Sequence, residues 1–147
     1  MSAFALRNVL ITVWHVPPTA ALVGRLVQVS QPVRDFSVQG MSMVHLVKAP
    51  LSAPDEATRT AMLRMVSSHN VGLVAMLVNQ SGFVLSVVRS VVTGMRVLSA
   101  GRFDYRICST VEEVAEWMPE LHQRKTGIAL DQAQLLRALH EANASAP

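Results

Sequence analysis

Acidic side chains are scarce over the first two-thirds of the chain. Residues 1–102 hold three of them, Asp35, Asp55 and Glu56, against nine basic residues. Paired-carboxylate acid–base chemistry needs two such groups facing one substrate. A receiver-type phosphoryl site needs an acidic cluster beside its first strand to hold Mg²⁺. Neither set is available. Cysteine is nearly absent as well: Cys108 stands alone, which excludes an internal disulfide and a thiolate zinc site and points to a reducing, cytoplasmic setting. Aromatic residues make up 5% and charged residues 16% of the 147 residues, the latter well under the usual share of about 25%. A chain so lightly charged fits neither disorder nor long solvated helices.

Several signatures are missing too. There is no Gly-x-Gly-x-x-Gly and no Gly-x-x-x-x-Gly-Lys-Ser/Thr, so the standard dinucleotide and phosphate cradles are absent. Ser81, in Gln-Ser-Gly, lacks the Gly-x-Ser-x-Gly elbow of hydrolases. His15, His45, His69, His122 and His140 show no metal-ligand spacing. No metal and no cofactor is therefore expected. The first residues carry neither the basic start nor the cleavage site of a signal peptide.

Half of the residues are hydrophobic, and no Asp, Glu, Lys or Arg lies between Arg64 and Arg89. A membrane span needs about 20 apolar residues. However, Asn79-Gln80-Ser81-Gly82 interrupts this window, and a turn there would leave backbone groups unsatisfied in lipid. The expectation is a buried strand, a turn and a buried helix, with no membrane span. The basic residues are scattered singly, which argues against a nucleic-acid footprint. Residues 103–147 reverse the balance, with seven acidic residues against four basic ones.

Along the chain, β-branched runs alternate with helical patterns. Asn8–His15 reads as a strand with a short partner near Ala3–Leu6. Pro17-Pro18 opens a helix striped by Leu22, Val23, Leu26 and Val27, and Gln31–Gly40 reads as irregular. Met41–Lys48 is the next strand. A second helix follows, with Ser52 as its N-cap and Ala57, Ala61, Met62, Met65 and Val66 on its apolar face. Val71–Val78 is apolar throughout, as suits a strand covered on both faces. Phe83–Leu98 forms a third helix, with Phe83, Val84, Val87, Val88, Val91, Met95 and Leu98 buried. Asp104–Cys108 is the last strand. Capping boxes at Thr110–Glu113 and Asp131–Gln134 start two more helices. The pattern predicts one α/β domain spanning residues 1–147, with a mostly parallel, four- to five-stranded sheet covered by helices.

That order of elements resembles STAS domains, the sulfate-transporter and anti-sigma-factor-antagonist family. Ser81-Gly-Phe-Val-Leu-Ser-Val-Val-Arg89-Ser-Val-Val-Thr-Gly-Met-Arg96 and Arg106-Ile-Cys-Ser-Thr-Val-Glu112-Glu113-Val-Ala-Glu-Trp117-Met are similar to segments of uncharacterised bacterial STAS-like proteins. The resemblance covers about Ala3–His122 and makes the C-terminal helix within 128–147 an addition. It implies a non-catalytic regulatory module that docks to a protein partner. It also implies a serine near the start of the second helix that a kinase phosphorylates. Ser52 lies near that place, although the acidic residue that precedes the serine in the family is missing here.

Ligands of parallel α/β sheets gather beyond the carboxyl ends of the strands. There the sequence places His15, Lys48, Ser52, Asn79, Ser81 and Ser109, with Gln80 and Thr110. This rim is the alternative site, for a small anionic ligand such as a nucleotide, a phosphate or a lipid held by helix N-termini. Apolar surface could instead close a homodimer. His15 or Cys108 could serve an enzyme, but Cys108 on an apolar strand reads first as a small buried hydrophobe, and His45 as a core or face residue. The eight methionines fall at core spacing.

Overall fold

The computed structural model describes residues 1–50, 53–78, 83–98, 100–101 and 103–145, apart from the side chains of residues 83–85, 87 and 88. Among them are five strands and five helices: β1 (Ser2–Leu6), β2 (Val9–Trp14), α1 (Ala20–Asp35), β3 (Met41–Val47), α2 (Glu56–Ser68), β4 (Val71–Val78), α3 (Phe83–Leu98), β5 (Asp104–Cys108), α4 (Val111–Thr126) and α5 (Gln132–Ala144). The strands lie side by side in chain order, β1-β2-β3-β4-β5. β1 and β2 form an antiparallel hairpin closed at Leu6 and Val9, and β2 through β5 are parallel to one another. The sheet is thus mixed, with one antiparallel edge. No helix among the described residues is long and apolar enough to cross a membrane.

The strand sequences explain the layering. Every residue of β2 is buried, as is nearly every residue of β3 and β4, because both faces of these strands are covered. Alternate side chains take opposite faces. Leu10, Trp14, Met41, Met43 and Val74 pack with Val23 and Leu26 of α1, Met65 and Val66 of α2 and Val92 of α3. Val9, Ile11, Val13, Val44, Leu73 and Ala75 pack on the other side with Val114 and Met118 of α4 and Leu135 and Leu139 of α5. The C-terminal helix is therefore built into the core, and Leu135, Leu139 and Ala142 are fully buried.

Some boundaries depart from expectation. Gln31–Gly40 is not irregular over its first half, since α1 continues through Pro32 to Asp35. Pro32 sits on the exposed side, and Val33 behind it is buried and keeps the apolar stripe running for another turn. Pro17-Pro18 precedes α1 rather than opening it, and Thr19 is the cap, accepting from the Leu22 N–H. The N-cap of α2 is Asp55, whose carboxylate accepts the Thr58 N–H at 2.8 Å, and Ser52 lies outside the described residues. Hydrogen bonding from the Thr58 side chain first, and from its N–H second, holds the Asp55 carboxyl below its ordinary range. Leu98, expected inside, is 73% exposed at the end of α3. The N-cap half of each predicted capping box forms, with Thr110 accepting from the Glu113 N–H at 3.2 Å and Asp131 from the Gln134 N–H at 2.7 Å, while the Glu113 carboxylate reaches back to the Ser109 N–H instead. α4 ends on Gly127 at φ 69°, a left-handed cap that glycine adopts without strain.

The role of α5 in the core gives a direct expectation. Leu139→Ala deletes a fully buried side chain from the layer over β2. It should lower unfolding stability by about 2–5 kcal/mol, read as a lower urea midpoint with an unchanged slope.

Candidate functional site

At the carboxyl ends of the strands, the expected rim is only partly assembled. Lys48 is exposed just after β3, and its ammonium donates to the carbonyls of Asn143 and Ser145 at the end of α5. Its charge thus serves the negative end of a helix dipole. His15 follows β2, and its Nε2 is buried without a hydrogen-bond partner among the described residues. Ser109 is exposed, and its N–H donates to Glu113 Oε2 at 2.7 Å, within the cap of α4. Ser52, Asn79, Gln80 and Ser81 lie outside the described residues. Cys108 is buried, and burial pushes its thiol above the usual range, which disfavours the nucleophilic thiolate. No group of three or more His, Cys, Asp or Glu residues among those described could hold a metal ion.

Two features have no obvious signature in the chain. The first lies at the amino ends of the strands, under α4. His122 Nδ1 stands 2.8 Å from Ser42 Oγ, and His122 Nε2 stands 2.9 Å from Asn8 Oδ1. The Asn8 amide donates from Nδ2 to the Gly40 carbonyl, which turns its oxygen toward the histidine. His122 Nε2 must therefore carry the ring proton, and Nδ1 accepts from the Ser42 hydroxyl. Thr126 Oγ1 lies 3.3 Å from Nε2 and donates to the His122 carbonyl at 2.9 Å. The residue types are those of a nucleophile, a base and an orienting group. Yet Ser42, His122 and Asn8 are all 0% exposed, so no substrate reaches the hydroxyl. The arrangement is a satisfied polar clamp that fixes α4 to β3 and to the turn before β2.

The second feature is a cavity of about 120 Å³ on the opposite face, between the sheet and α1, α2 and α3. Trp14, Met43, His45, Val74 and Met76 form its floor. Val23 and Leu26 come from α1, Met62, Met65 and Val66 from α2, and Val91, Val92 and Met95 from α3, with Pro18 and Pro54 beside the starts of the first two helices. Five of the eight methionines line it. No charged side chain does so among the described residues. Protein interiors rarely leave such space, and this one is partly open to solvent rather than enclosed.

His45 is the polar exception in this lining. It pairs with Thr12 across the β2–β3 ladder, with Thr12 Oγ1 2.6 Å from its Nδ1. Trp14 Nε1–H donates to the same nitrogen at 3.3 Å. An indole N–H can only donate, so Nδ1 is unprotonated and the neutral ring carries its proton on Nε2. Burial lowers the His45 pKa to about 4, and a second proton on Nδ1 would also have to face the Trp14 N–H.

No protein-family model, curated protein or solved structure matches the chain.

Burial likewise lowers the His122 pKa to about 4, assisted by the positive charge of Arg7. With folded values below the ordinary one, the unfolded chain takes up protons first, so stability is fully present above about pH 6.5 and falls as pH drops toward 4. The share of His122 in that loss is on the order of 3 kcal/mol. Urea midpoints measured from pH 8 to pH 4.5 should show the decline. His122→Leu should make it shallower, while lowering stability at pH 7 by about 1–3 kcal/mol because Ser42 and Asn8 lose their partner.

Proposed function

We propose that the protein is a cytoplasmic, non-catalytic regulatory module of STAS-like type that acts by docking to a protein partner. The order of elements, from an opening hairpin through alternating helices and strands to α4, agrees with the order on which the STAS resemblance rests. The observation that carries the docking itself is the outer face of α1. Val29, Pro32 and Phe36 follow one another at spacings of three and four residues, and so share one stripe. Val29 is 48% exposed, Phe36 is 56% exposed, and Val38 just beyond is 98% exposed.

Single exposed apolar residues are ordinary on any surface, but a run of them along one helix marks a contact face. The inner stripe of the same helix, Val23, Leu26 and Val33, already supplies the core, so the outer stripe is not needed for folding. Arg25 and Asp35 flank it and provide the polar border that interfaces carry.

The double substitution Val29→Asp and Phe36→Asp tests this reading. Cross-linking in cells followed by mass spectrometry should recover a partner with the wild-type protein, and the double variant should reduce its yield at least tenfold. Its thermal midpoint should stay within about 2 °C, since exposed substitutions rarely move stability by more than ~0.5 kcal/mol. Equal recovery of the partner by a folded double variant would overturn the assignment of this face. A cross-linked product consisting only of two copies of the chain would replace the partner with a homodimer.

A further inference from the structure

The cavity beneath α1, α2 and α3 has a defined chemistry as well as a size. An engineered apolar cavity of about 150 Å³ admits benzene, so the ~120 Å³ here, in a pocket partly open to solvent, suits a molecule built on one aromatic ring with a short substituent toward the opening. The five methionines in the wall adapt in shape, and thioethers make favourable contacts with aromatic rings. A water molecule needs two to four polar partners, more than the described lining residues offer, so ordered water is a poor tenant. A carboxylate or an ammonium would enter without a counter-charge among the described residues that line the space, at a heavy desolvation cost.

One polar requirement remains. With Nδ1 engaged by Thr12 and Trp14, the hydrogen that His45 can offer is on Nε2, and no hydrogen bond from that atom is found among the described residues. A pure hydrocarbon would leave this donor unsatisfied, whereas a ligand oxygen would accept from it. We infer that the cavity is a binding site for a small, uncharged aromatic molecule bearing one hydrogen-bond acceptor, with His45 Nε2–H as the donor that orients it. The site lies on the inner side of α1 and is independent of the docking face on its outer side.

The probes are acetophenone and α-methylstyrene, which share a shape but differ by C=O against C=CH₂. The full-length protein, labelled with ¹³C at the methionine methyls, is titrated with each and followed by NMR. The expected result is saturable movement of the methyls of Met43, Met62, Met65, Met76 and Met95, which line the cavity, while Met118 stays still in the core on the far side of the sheet. The ratio of ketone to alkene affinity should fall about threefold to tenfold in His45→Phe, the worth of one neutral hydrogen bond. It should be largely kept in His45→Gln, which retains an N–H donor. Val92→Phe, which fills the space from α3, should weaken both probes equally.

The absence of any methyl shift up to the solubility limit would overturn the site. So would equal movement of Met118, which would indicate non-specific partition. An unchanged ketone-to-alkene ratio in a folded His45→Phe would overturn the assignment of the donor. Should His45→Phe fail to fold, the comparison of wild type with Val92→Phe still decides whether the probes enter the cavity.

Discussion

The structure depends on the direction in which the chain winds. Each strand from β2 to β5 is laid beside its predecessor, always on the same side. Parallel neighbours need a crossover, and crossovers share one hand, so successive steps in one direction put their helices on one face of the sheet. α1, α2 and α3 accordingly cover the same face, and the other side of β2, β3 and β4 would face water. Those strands are apolar on both faces. α4 and α5 must therefore return across the sheet, and that return decides where the polar clamp and the chain's last turn are placed.

The two faces differ in how they solve packing. Under α4 and α5 the fit is close, with fully buried leucines, and the polar atoms brought inside are matched pairwise around His122. Under α1, α2 and α3 three helices share one surface, and methionines from the strands and helices meet around a space that they do not fill. One face is rigid and satisfied. The other holds a methionine-lined cavity whose described polar side chains are His45 and Trp14.

The periodicities in the sequence read these elements well. Val71–Val78 and Asp104–Cys108 are strands over the expected residues, and the capping boxes before α4 and α5 mark their first turns. Gln31–Gly40 reads as irregular, but α1 runs on through the exposed Pro32 to Asp35 because Val33 beside it still has a core to enter. At α2 two residues able to cap stood three positions apart, and the bond to Thr58 went to Asp55. The methionines were legible as core, but not as the wall of a cavity, since the space depends on how far apart three helices sit. Nothing local links Ser42 with His122 or Asn8 with His122, which are separated by 80 and 114 residues. The rim was legible as a position, and what its described residues bond to, such as Lys48 with the end of α5, came only from the fold.

The return of α5 over β2 also has a consequence in time. β2 leaves the ribosome well before α5, which buries Val9, Ile11 and Val13 together with α4. β2 can pair with β3 once both exist, because neighbours in the sheet are neighbours in the chain, at the slower rate of parallel pairing across a crossover. Its second face stays bare until more than a hundred further residues have been made, several seconds at ordinary rates of synthesis. The nascent protein thus passes through a stage with a formed sheet and one uncovered apolar side, and the order of synthesis makes this the interval in which it is most exposed to aggregation or to chaperones.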